Sequence, residues 1–516
     1  MSREYHQPRP GHYRLPDSVR LMPQNGSAVA IRDYPLYLVR LNSMAAQLLS
    51  LCSEECDCAQ LAQATNMPVK RIEALCDQLH WKGLLEAGPV LHPPVWPHVS
   101  IIIPTYNRAK ELERCLHSLF GLDYPAHCLE IIVVDDASTD GTADILQWIV
   151  QAAETHDLEM RVVRHAKRQG VGIGRNSGEE TAKYGLIAYI DSDCVASPGW
   201  LKELVPTFQN MRIAAVGGMI RAYERNTLLG RYEDVCSSMY MGGRPQQISL
   251  KSSLTYLPAA NLVIRRTIWQ QLGGFASMTQ GEDVDFCRRL LMSGASMNYI
   301  PQGVVYHDYR TTWGSFLRIR VAYASAEAAL LKRHPGERRV LLLPPEQAMF
   351  AAAVIGGTWG ITWLILRSLW SGFQGTTFAL ALLPLLLALL LTLWGLFKRL
   401  RKVRAYGIAI GLPIVLKATL RGQLAYVYLL SRHLTRYYTL PLLVVSFLVP
   451  PLFIVLLMLC GIVIGVDYVR LKPELGVGRY MLCALLEDCA YQVGVMWGCI
   501  KHRTWKPLLP VIRARV

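Results

Sequence analysis

The chain has 516 residues, 52% of them hydrophobic, and a formal net charge of +15. This length predicts two or three domains. The charge is confined to the last third, because residues 346–516 carry 18 Lys and Arg against 5 acidic residues while the earlier parts are nearly balanced. The front of the chain therefore lacks the basic surface that nucleic-acid binding requires, and we expect no nucleic-acid partner.

Residues 1–95 have the pattern of a small separate module. Two short strands are predicted on either side of an Asn25-Gly26 turn, followed by a helix capped by Ser43. A helix–turn–helix pattern over 59–79 and a wing-like strand complete a winged-helix α+β outline. The second helix of the pair carries as many acidic as basic residues, which argues against contact with a phosphate backbone.

Residues 96–345 alternate between short apolar runs and helical patterns. Buried strands are predicted over 99–105, 129–135, 160–165 and 186–190, with helices between them. Such alternation is typical of an α/β fold with a doubly wound sheet, in which ligands bind at the carboxyl ends of the strands. Polar side chains stand at these ends: Thr105, Asp136, Asp191 and Asp193. We expect them to lie at one ligand-binding edge.

The pair Asp191 and Asp193 directly follows an apolar strand and is the strongest indication of chemistry. Hard divalent cations such as Mg²⁺ and Mn²⁺ prefer carboxylate oxygens and share them with substrate phosphates. The segment 169–176 is rich in glycine and leads into a helix predicted from Gly174 to Lys183, so its amides and Arg175 could face a diphosphate. It resembles a dinucleotide-binding fingerprint only loosely.

A second acidic pair, Glu282 and Asp283, lies at the predicted start of a helix. A carboxylate in this position can remove a proton from an attacking hydroxyl group. The alternative is that these acids stabilise the positive end of the helix. The residues alone leave both interpretations open.

In this order, the motifs resemble those of family 2 glycosyltransferases with the GT-A fold, over residues 99 to about 310. The resemblance implies an inverting transfer from a nucleotide-diphosphate sugar. It implies that Thr105 and Asp136 hold the base and ribose of the donor and that Arg175 approaches the diphosphate. Asp191 would lie near the ribose and the metal, and Asp193 would be a direct metal ligand.

The same resemblance implies that Asp283 is the catalytic base, with Glu282 beside it. His307 matches a position that can complete the metal shell, which would hold Mg or Mn. The leaving nucleotide diphosphate develops negative charge, which a divalent metal and Arg175 can stabilise.

Three apolar runs, 349–366, 378–397 and 440–466, are long enough to cross a bilayer. A fourth run, 479–500, is a weaker candidate because it contains two acids. The segment 398–438 carries nine Lys and Arg and no acids, so the positive-inside rule predicts that it and the catalytic domain face the cytoplasm. We therefore expect a helical, membrane-associated region over 346–516 with membrane lipid as a partner. Helices lying in the interface plane are the alternative.

The thirteen cysteines favour a reducing compartment, and no secretory signal is visible in the first thirty residues. Three cysteines lie close together in the sequence: Cys52, Cys56 and Cys58. No second Cys or His pair lies near them at the spacing of a zinc site, which argues against metal binding.

The front module resembles the pyrroloquinoline quinone chaperone protein, a type of module that holds precursor peptides. The chain combines this module with the family 2 domain and a tail that contains Tyr491, Gly494, Trp497 and Gly498. This combination resembles the glycosyltransferases of the mycofactocin system. That resemblance implies sequential transfer of glucose, from UDP-glucose, to mycofactocin or its peptide-derived precursor. Two alternatives stay open: a cell-envelope transferase acting on a lipid-linked acceptor, and a non-catalytic peptide-binding scaffold. No Gln-x-x-Arg-Trp motif follows the predicted base, which argues against processive polysaccharide synthesis.

Overall fold

The computed structural model describes residues 11–24, 27–33, 36–88, 95–250, 255–336, 339–371, 375–405, 407 and 410–513. The chain divides into two compact units, each made of separate segments. The first unit contains 1–91, 340–466 and 510–516, and the second contains 92–339 and 467–509. The predicted domain boundaries at 95 and 345 stay a prediction.

The front of the first unit consists of short strands and three helices. They are β1 (His12–Arg14), β2 (Val19–Gln24), β3 (Ser27–Asp33), β4 (Leu36–Leu41), α1 (Ser43–Leu51), β5 (Cys56–Asp57), α2 (Cys58–Thr65), α3 (Val69–Trp81) and β6 (Glu86–Ala87). Strands β2, β3 and β4 form an antiparallel sheet, and β1 pairs with β5 and β6. Asn42, not Ser43, caps α1, because its side chain accepts a hydrogen bond from the amide of Ala45 at 2.8 Å. The predicted Asn25-Gly26 turn lies outside the described residues.

The second unit is built around one large sheet. Its elements are β7 (Val99–Thr105), α4 (Ala109–Phe120), β8 (Leu129–Asp135), α5 (Thr142–Glu154), β9 (Glu159–Arg164), α6 (Val171–Thr181), β10 (Leu186–Ile190), β11 (Cys194–Ala196), α7 (Trp200–Leu204), β12 (Ile213–Ala222), α8 (Leu228–Cys236), β13 (Gln246–Ile248), β14 (Asn261–Arg265), α9 (Arg266–Leu272), α10 (Glu282–Met292), β15 (Ser296–His307) and α11 (Trp313–Arg333). The strand order is β11-β15-β12-β14-β10-β7-β8-β9, with β13 paired to β15.

The sheet is mixed, as the α/β fold class predicts. Strands β10, β7, β8 and β9 are parallel to one another, whereas β14 runs antiparallel to both of its neighbours. Every residue of β7, β8 and β10 is buried, which matches the continuous apolar runs in their sequences. Apolar clusters lie on both faces of the sheet, and the carboxyl ends of the parallel strands are left for polar side chains. The predicted doubly wound mixed sheet is confirmed.

Helix α6 differs from its prediction, because it begins at Val171 and not at Gly174. The glycines at 172, 174 and 178 therefore lie within the helix and do not form a loop. A Cβ atom on Gly178 would lie 2.5 Å from Cγ2 of Ile102, and one on Gly172 would lie 2.7 Å from the carbonyl oxygen of Ala276. These glycines allow α6 to pack closely on the sheet, and only Gly170, at φ 97°, requires the left-handed region.

The rest of the chain is mainly helical, as predicted. It contains β16 (Val340–Leu342), α12 (Pro345–Ser371), α13 (Gly375–Ala405), α14 (Leu412–Ser446), α15 (Pro451–Leu471), α16 (Val477–His502) and β17 (Val511–Arg513). The third apolar run does not form one helix, because α14 ends at Ser446 and α15 begins at Pro451, after a turn that ends with Pro450. Among the described residues, three segments are long and apolar enough to span a membrane: Pro345–Ile365, Leu383–Ala405 and Pro451–Leu471.

Helix α16 belongs to the second unit and packs along α11. Its acidic residue Glu487 is buried, where it accepts a hydrogen bond from Tyr232 at 2.7 Å and lies 3.4 Å from Nε of Arg320. These contacts explain why an otherwise apolar run contains Glu487. Gly494 and Gly498 face α11, because a Cβ atom on either would lie within 2.5 Å of a carbonyl oxygen of that helix.

We predict that Gly494→Ala destabilises the second unit, because the added methyl group would collide with the backbone of Val321. Overpacking of this kind costs about 1–3 kcal/mol, which should lower the melting temperature by roughly 3–8 °C. Thermal unfolding in detergent, followed by intrinsic tryptophan fluorescence, measures the change. Gly478→Ala on the same helix is the control, since nothing lies within 4 Å of its added Cβ. Equal melting temperatures for the two variants would contradict the packing described.

Candidate active site

A cleft of about 1000 Å³ opens at the carboxyl ends of the parallel strands in the second unit. All eight residues predicted for the site line this cleft: Thr105, Asp136, Arg175, Asp191, Asp193, Glu282, Asp283 and His307. They come from strand ends, from α6 and from the start of α10, which are as much as two hundred residues apart in the sequence. The fold therefore assembles the predicted side chains in one place, while their individual roles stay predictions.

Asp136 organises the loop that precedes α6. Its carboxylate accepts hydrogen bonds from Nδ1 of His165 at 2.7 Å and from the amides of Gln169 and Gly170 at 2.8 and 2.7 Å. Although burial opposes the effect, these three donors lower the pKa of Asp136. Asp136 is thus an ionised anchor for the loop beside Thr105, and His165 is a site residue that the sequence motifs do not reveal.

Arg175 lies almost completely buried between two carboxylates of the cleft. Its guanidinium donates to Asp191 at 2.7 Å and to Glu282 at 2.6 Å. One partner follows β10 and the other begins α10, so this single side chain joins two walls of the site. Removing one partner of such a buried pair typically costs about 3–5 kcal/mol, because an uncompensated charge is left behind.

Asp193 lies directly before β11, whose first residue, Cys194, pairs in register with His307 on β15. Oδ1 of Asp193 is 3.6 Å from Nε2 of His307, and its other oxygen contacts the guanidinium of Arg108. Burial opposes ionisation here, but His307 and Arg108 lower the pKa of Asp193. Oxygen, nitrogen and sulfur atoms of Asp193, His307 and Cys194 lie close enough together to hold a metal ion.

Cys194 was not predicted as part of this group, and Asp191, which was, lies outside it. Burial raises the pKa of the Cys194 thiol well above its usual range, so the group stays a neutral thiol. A neutral thiol is a poor ligand for Mg²⁺ or Mn²⁺, whereas the carboxylate of Asp193 suits both. Asp193 and His307 are therefore the stronger donors in this cluster.

Asp283 occupies the first turn of α10 with its neighbour Glu282. Burial, followed by the negative charge of Glu282, raises the pKa of Asp283 to about 7. Its carboxylate accepts a long hydrogen bond, 3.4 Å, from the amide of Ala259 and a local one from Val284 at 2.8 Å. A carboxylate with a pKa near 7 in a cleft is suited to take up a proton.

Several further residues of the cleft escaped the sequence motifs. Arg108 follows Thr105 by three positions, but nothing in the sequence indicates its ion pair with Asp193. Arg168 lies over the ring of Tyr106, with its guanidinium carbon 4.1 Å from the ring centroid. Tyr491, noted in the sequence of the tail but not predicted as a site residue, reaches the cleft from α16, almost four hundred residues along the chain from the first motif. Only contact in three dimensions identifies such residues.

Comparison with known proteins agrees with this geometry. Residues 100–273 match the family described as Glycosyl transferase family 2. The chain is 28% identical over 445 residues to the pre-mycofactocin glycosyltransferase of Mycobacterium tuberculosis, in strains CDC 1551 / Oshkosh and H37Rv, which covers 83% of this chain and 86% of that protein. It is also 28% identical over 242 residues to glycosyltransferase AglE of Haloferax volcanii, over 46% of this chain and 76% of that protein.

Among solved structures, the mannosyltransferase PcManGT from Pyrobaculum calidifontis, in complex with GDP-Man and Mn²⁺, is 17% identical. It aligns over 79% of this chain and 90% of its own, with a TM-score of 0.43.

Residues 100–273 thus form a family 2 glycosyltransferase domain, built on a mixed sheet of the GT-A type with a cleft at its strand ends. The predicted resemblance to the glycosyltransferases of the mycofactocin system is confirmed, and it extends well beyond the catalytic domain.

We predict that Asp136→Asn releases the loop before α6. The amide cannot accept three hydrogen bonds as the carboxylate does, and an unmet buried donor costs about 1–3 kcal/mol. Hydrogen–deuterium exchange at the amides of Gln169 and Gly170 should accelerate about ten-fold or more. Glu180→Gln, at an exposed position of α6, is the control. Unchanged exchange at both amides would show that Asp136 does not hold this loop.

Proposed function

We propose that the protein transfers hexose units, glucose from UDP-glucose, to mycofactocin or its peptide-derived precursor. The observation that carries this proposal is the extent of the similarity to pre-mycofactocin glycosyltransferase, which spans 83% of this chain. The family 2 match covers only residues 100–273. The similarity to pre-mycofactocin glycosyltransferase therefore also includes parts of the chain outside the catalytic domain, in the front module or the helical tail. Those parts are where an enzyme of a common fold would differ between acceptors.

The donor would occupy the side of the cleft formed by β7, β8 and α6. Oγ1 of Thr105 is buried there without a hydrogen-bond partner in the part of the chain that the structure describes, and it could accept or donate to the base. Asp136 and the loop it anchors would border the nucleoside. Arg175, whose charge is held at the centre of the cleft by Asp191 and Glu282, would face the diphosphate.

Asp193 and His307 would hold a Mg or Mn ion, with Asp191 nearby. Their donor atoms fit such an ion, because carboxylate oxygen and imidazole nitrogen converge in a buried position. A divalent ion there would offset the charge that develops on the leaving diphosphate. Since the guanidinium of Arg108 contacts the same carboxylate, Arg108 must move aside for the ion or share Asp193 with it.

Transfer would then proceed as a single displacement. The acceptor hydroxyl oxygen attacks the anomeric carbon, and its proton passes to Asp283. The bond from that carbon to the diphosphate oxygen breaks, and the nucleotide leaves with the electron pair. Attack from the face opposite the leaving group inverts the anomeric carbon.

A second candidate function is transfer to a lipid-linked acceptor of the cell envelope. The specific observation in its favour is that three described helices are long and apolar enough to span a membrane. The nine basic residues between Lys398 and Tyr438 support an orientation in which the catalytic cleft faces the cytoplasm, where nucleotide sugars are found.

The first experiment is mass spectrometry of purified protein incubated with UDP-glucose, Mn²⁺ and the mycofactocin aglycone. Successive additions of one hexose to the aglycone are expected. Slow hydrolysis of UDP-glucose without any addition would favour the lipid-linked acceptor. If UDP-glucose is neither bound nor hydrolysed, the proposed donor is wrong.

We predict that Asp283→Asn abolishes transfer with little effect on donor affinity, because the amide cannot take up the proton. In the unsubstituted enzyme, the rate should rise with pH through about 7 as Asp283 loses its proton, and then level off. Rates between pH 5.5 and 8.5, with UDP-glucose binding measured separately, test both statements. Asp144→Asn, at an exposed position of α5, is the control. A flat pH profile, or a large loss of donor affinity, would remove Asp283 from the role of base.

We predict that Asp193→Asn weakens metal-dependent donor binding at least ten-fold, since the metal would lose its charged ligand. Calorimetric titration of UDP-glucose with and without Mn²⁺ measures the change, again with Asp144→Asn beside it. An unaltered response to Mn²⁺ would contradict the assignment of Asp193 as a metal ligand.

A further inference from the structure

Helix α16 contributes a residue to the cleft. Tyr491 lines the cleft, and its hydroxyl group donates a hydrogen bond to Oε2 of Glu327 on α11, at 3.0 Å. Both side chains are half-buried. This contact depends on a helical face that carries Glu487, Tyr491, Gly494 and Gly498, a spacing of four, three and four residues that places them on one side of α16.

The close approach of the two helices fixes where Tyr491 stands. Gly494 and Gly498 bring α16 against the backbone of α11, and Glu487 meets Arg320 one turn before Tyr491. The tyrosine is thus held between two tight contacts on its own helix. A side chain fixed in this way at the edge of a cleft can select among ligands, because little freedom is lost when it binds one.

The same wall of the cleft adjoins the predicted base. Ala326 and Leu330 of α11 pack beside Gly281, two residues before Asp283, with atoms 3.6 and 3.3 Å from the position of a Cβ on that glycine. Tyr256 also lies near, since burial and then the charge of Asp283 raise the pKa of its hydroxyl group. Tyr323 and Glu327 are four residues apart on α11 and share a face that lines the cleft.

The chemistry of this wall is aromatic, apolar and acidic. Among the residues of this wall that the structure describes, the cation is Arg320, whose guanidinium already pairs with Glu233 at 2.5 Å and with Glu487 at 3.4 Å. Phosphate groups are bound in proteins by available Arg and Lys side chains, so a phosphorylated acceptor would compete with these two carboxylates for Arg320 and would be repelled by Glu327. Hydroxyl groups, in contrast, donate to carboxylates, and tyrosine rings pack against apolar ring faces.

We propose that Tyr491 and Glu327 form an acceptor-recognition pair and that this wall selects an uncharged, hydroxyl-bearing acceptor over an anionic phospholipid. The inference rests on the proposed glycosyl transfer, because it places the acceptor beside Asp283. It assigns to the C-terminal helix a direct part in substrate choice.

The test is a calorimetric binding titration of the full-length protein in detergent, with UDP and Mn²⁺ present. The probes are para-nitrophenyl β-glucoside, which is neutral, and farnesyl phosphate, which is an anionic lipid. The variants are Tyr491→Phe, Glu327→Gln and both together, with Tyr468→Phe as the matched control because its hydroxyl group donates to Leu475, outside the cleft. Melting temperatures are recorded for each variant.

The unsubstituted protein should bind the glucoside more tightly than farnesyl phosphate. Tyr491→Phe and Glu327→Gln should each weaken glucoside binding about ten-fold, the size expected for hydrogen bonds to a charged group. The double variant should be little weaker than either single one, since the two residues act as a pair. Equal affinities in all proteins, or tighter binding of farnesyl phosphate, would overturn the inference.

Binding and transfer can fail separately. If glucose is not transferred to the mycofactocin aglycone but glucoside binding depends on Tyr491 and Glu327, the inference stands and the proposed acceptor or donor is wrong. If transfer succeeds while binding and acceptor KM are the same in Tyr491→Phe and Tyr468→Phe, the inference alone falls.

Discussion

The buried ion pairs of Arg175 are the interaction on which the rest of the site depends. The guanidinium contacts Asp191, two residues before Asp193, and Glu282, one residue before Asp283. The cluster suited to a metal and the carboxylate suited to proton transfer are therefore set at a fixed separation by one side chain. The glycines of α6 contribute to this arrangement, because they allow the helix that carries Arg175 to pack closely on the sheet. A sugar placed between them would contact both the metal-suited cluster and the carboxylate of Asp283.

Charge balance in the cleft follows from the same arrangement. Arg108, Arg175 and Arg320 each contact acidic side chains, so the charges of these three residues are compensated within the protein. Buried charges persist in proteins only when they are paired in this way. The proposed diphosphate donor would then either redistribute these pairs or bring a cation of its own. The proposed metal-assisted binding would satisfy the second condition.

The sequence predicted the second unit well where local patterns were strong. The strands ending at Thr105, Asp135 and Ile190 were clear because each is a continuous apolar run bounded by polar residues. The eight site residues were predicted from polar positions near the ends of elements together with the family resemblance. The start of α6 was placed three residues late, because glycine is a poor helix former and its packing role depends on Ile102 and Ala276. His165, Arg108 and Tyr491 were missed because their partners are distant in sequence. The break between α14 and α15 was missed because residues 440–466 were treated as one apolar run on the basis of their hydropathy, although two adjacent prolines interrupt it.

The second unit is discontinuous, since its chain leaves at residue 339 and returns at residue 467. During synthesis, the residues that pair with Arg320 from α16, and the tyrosine that reaches Glu327, emerge only after all three apolar helices have been made. A nascent chain therefore presents an incomplete cleft until α16 has been made. Because of this order of segments, the cleft is completed only after the apolar helices are available for insertion into a bilayer.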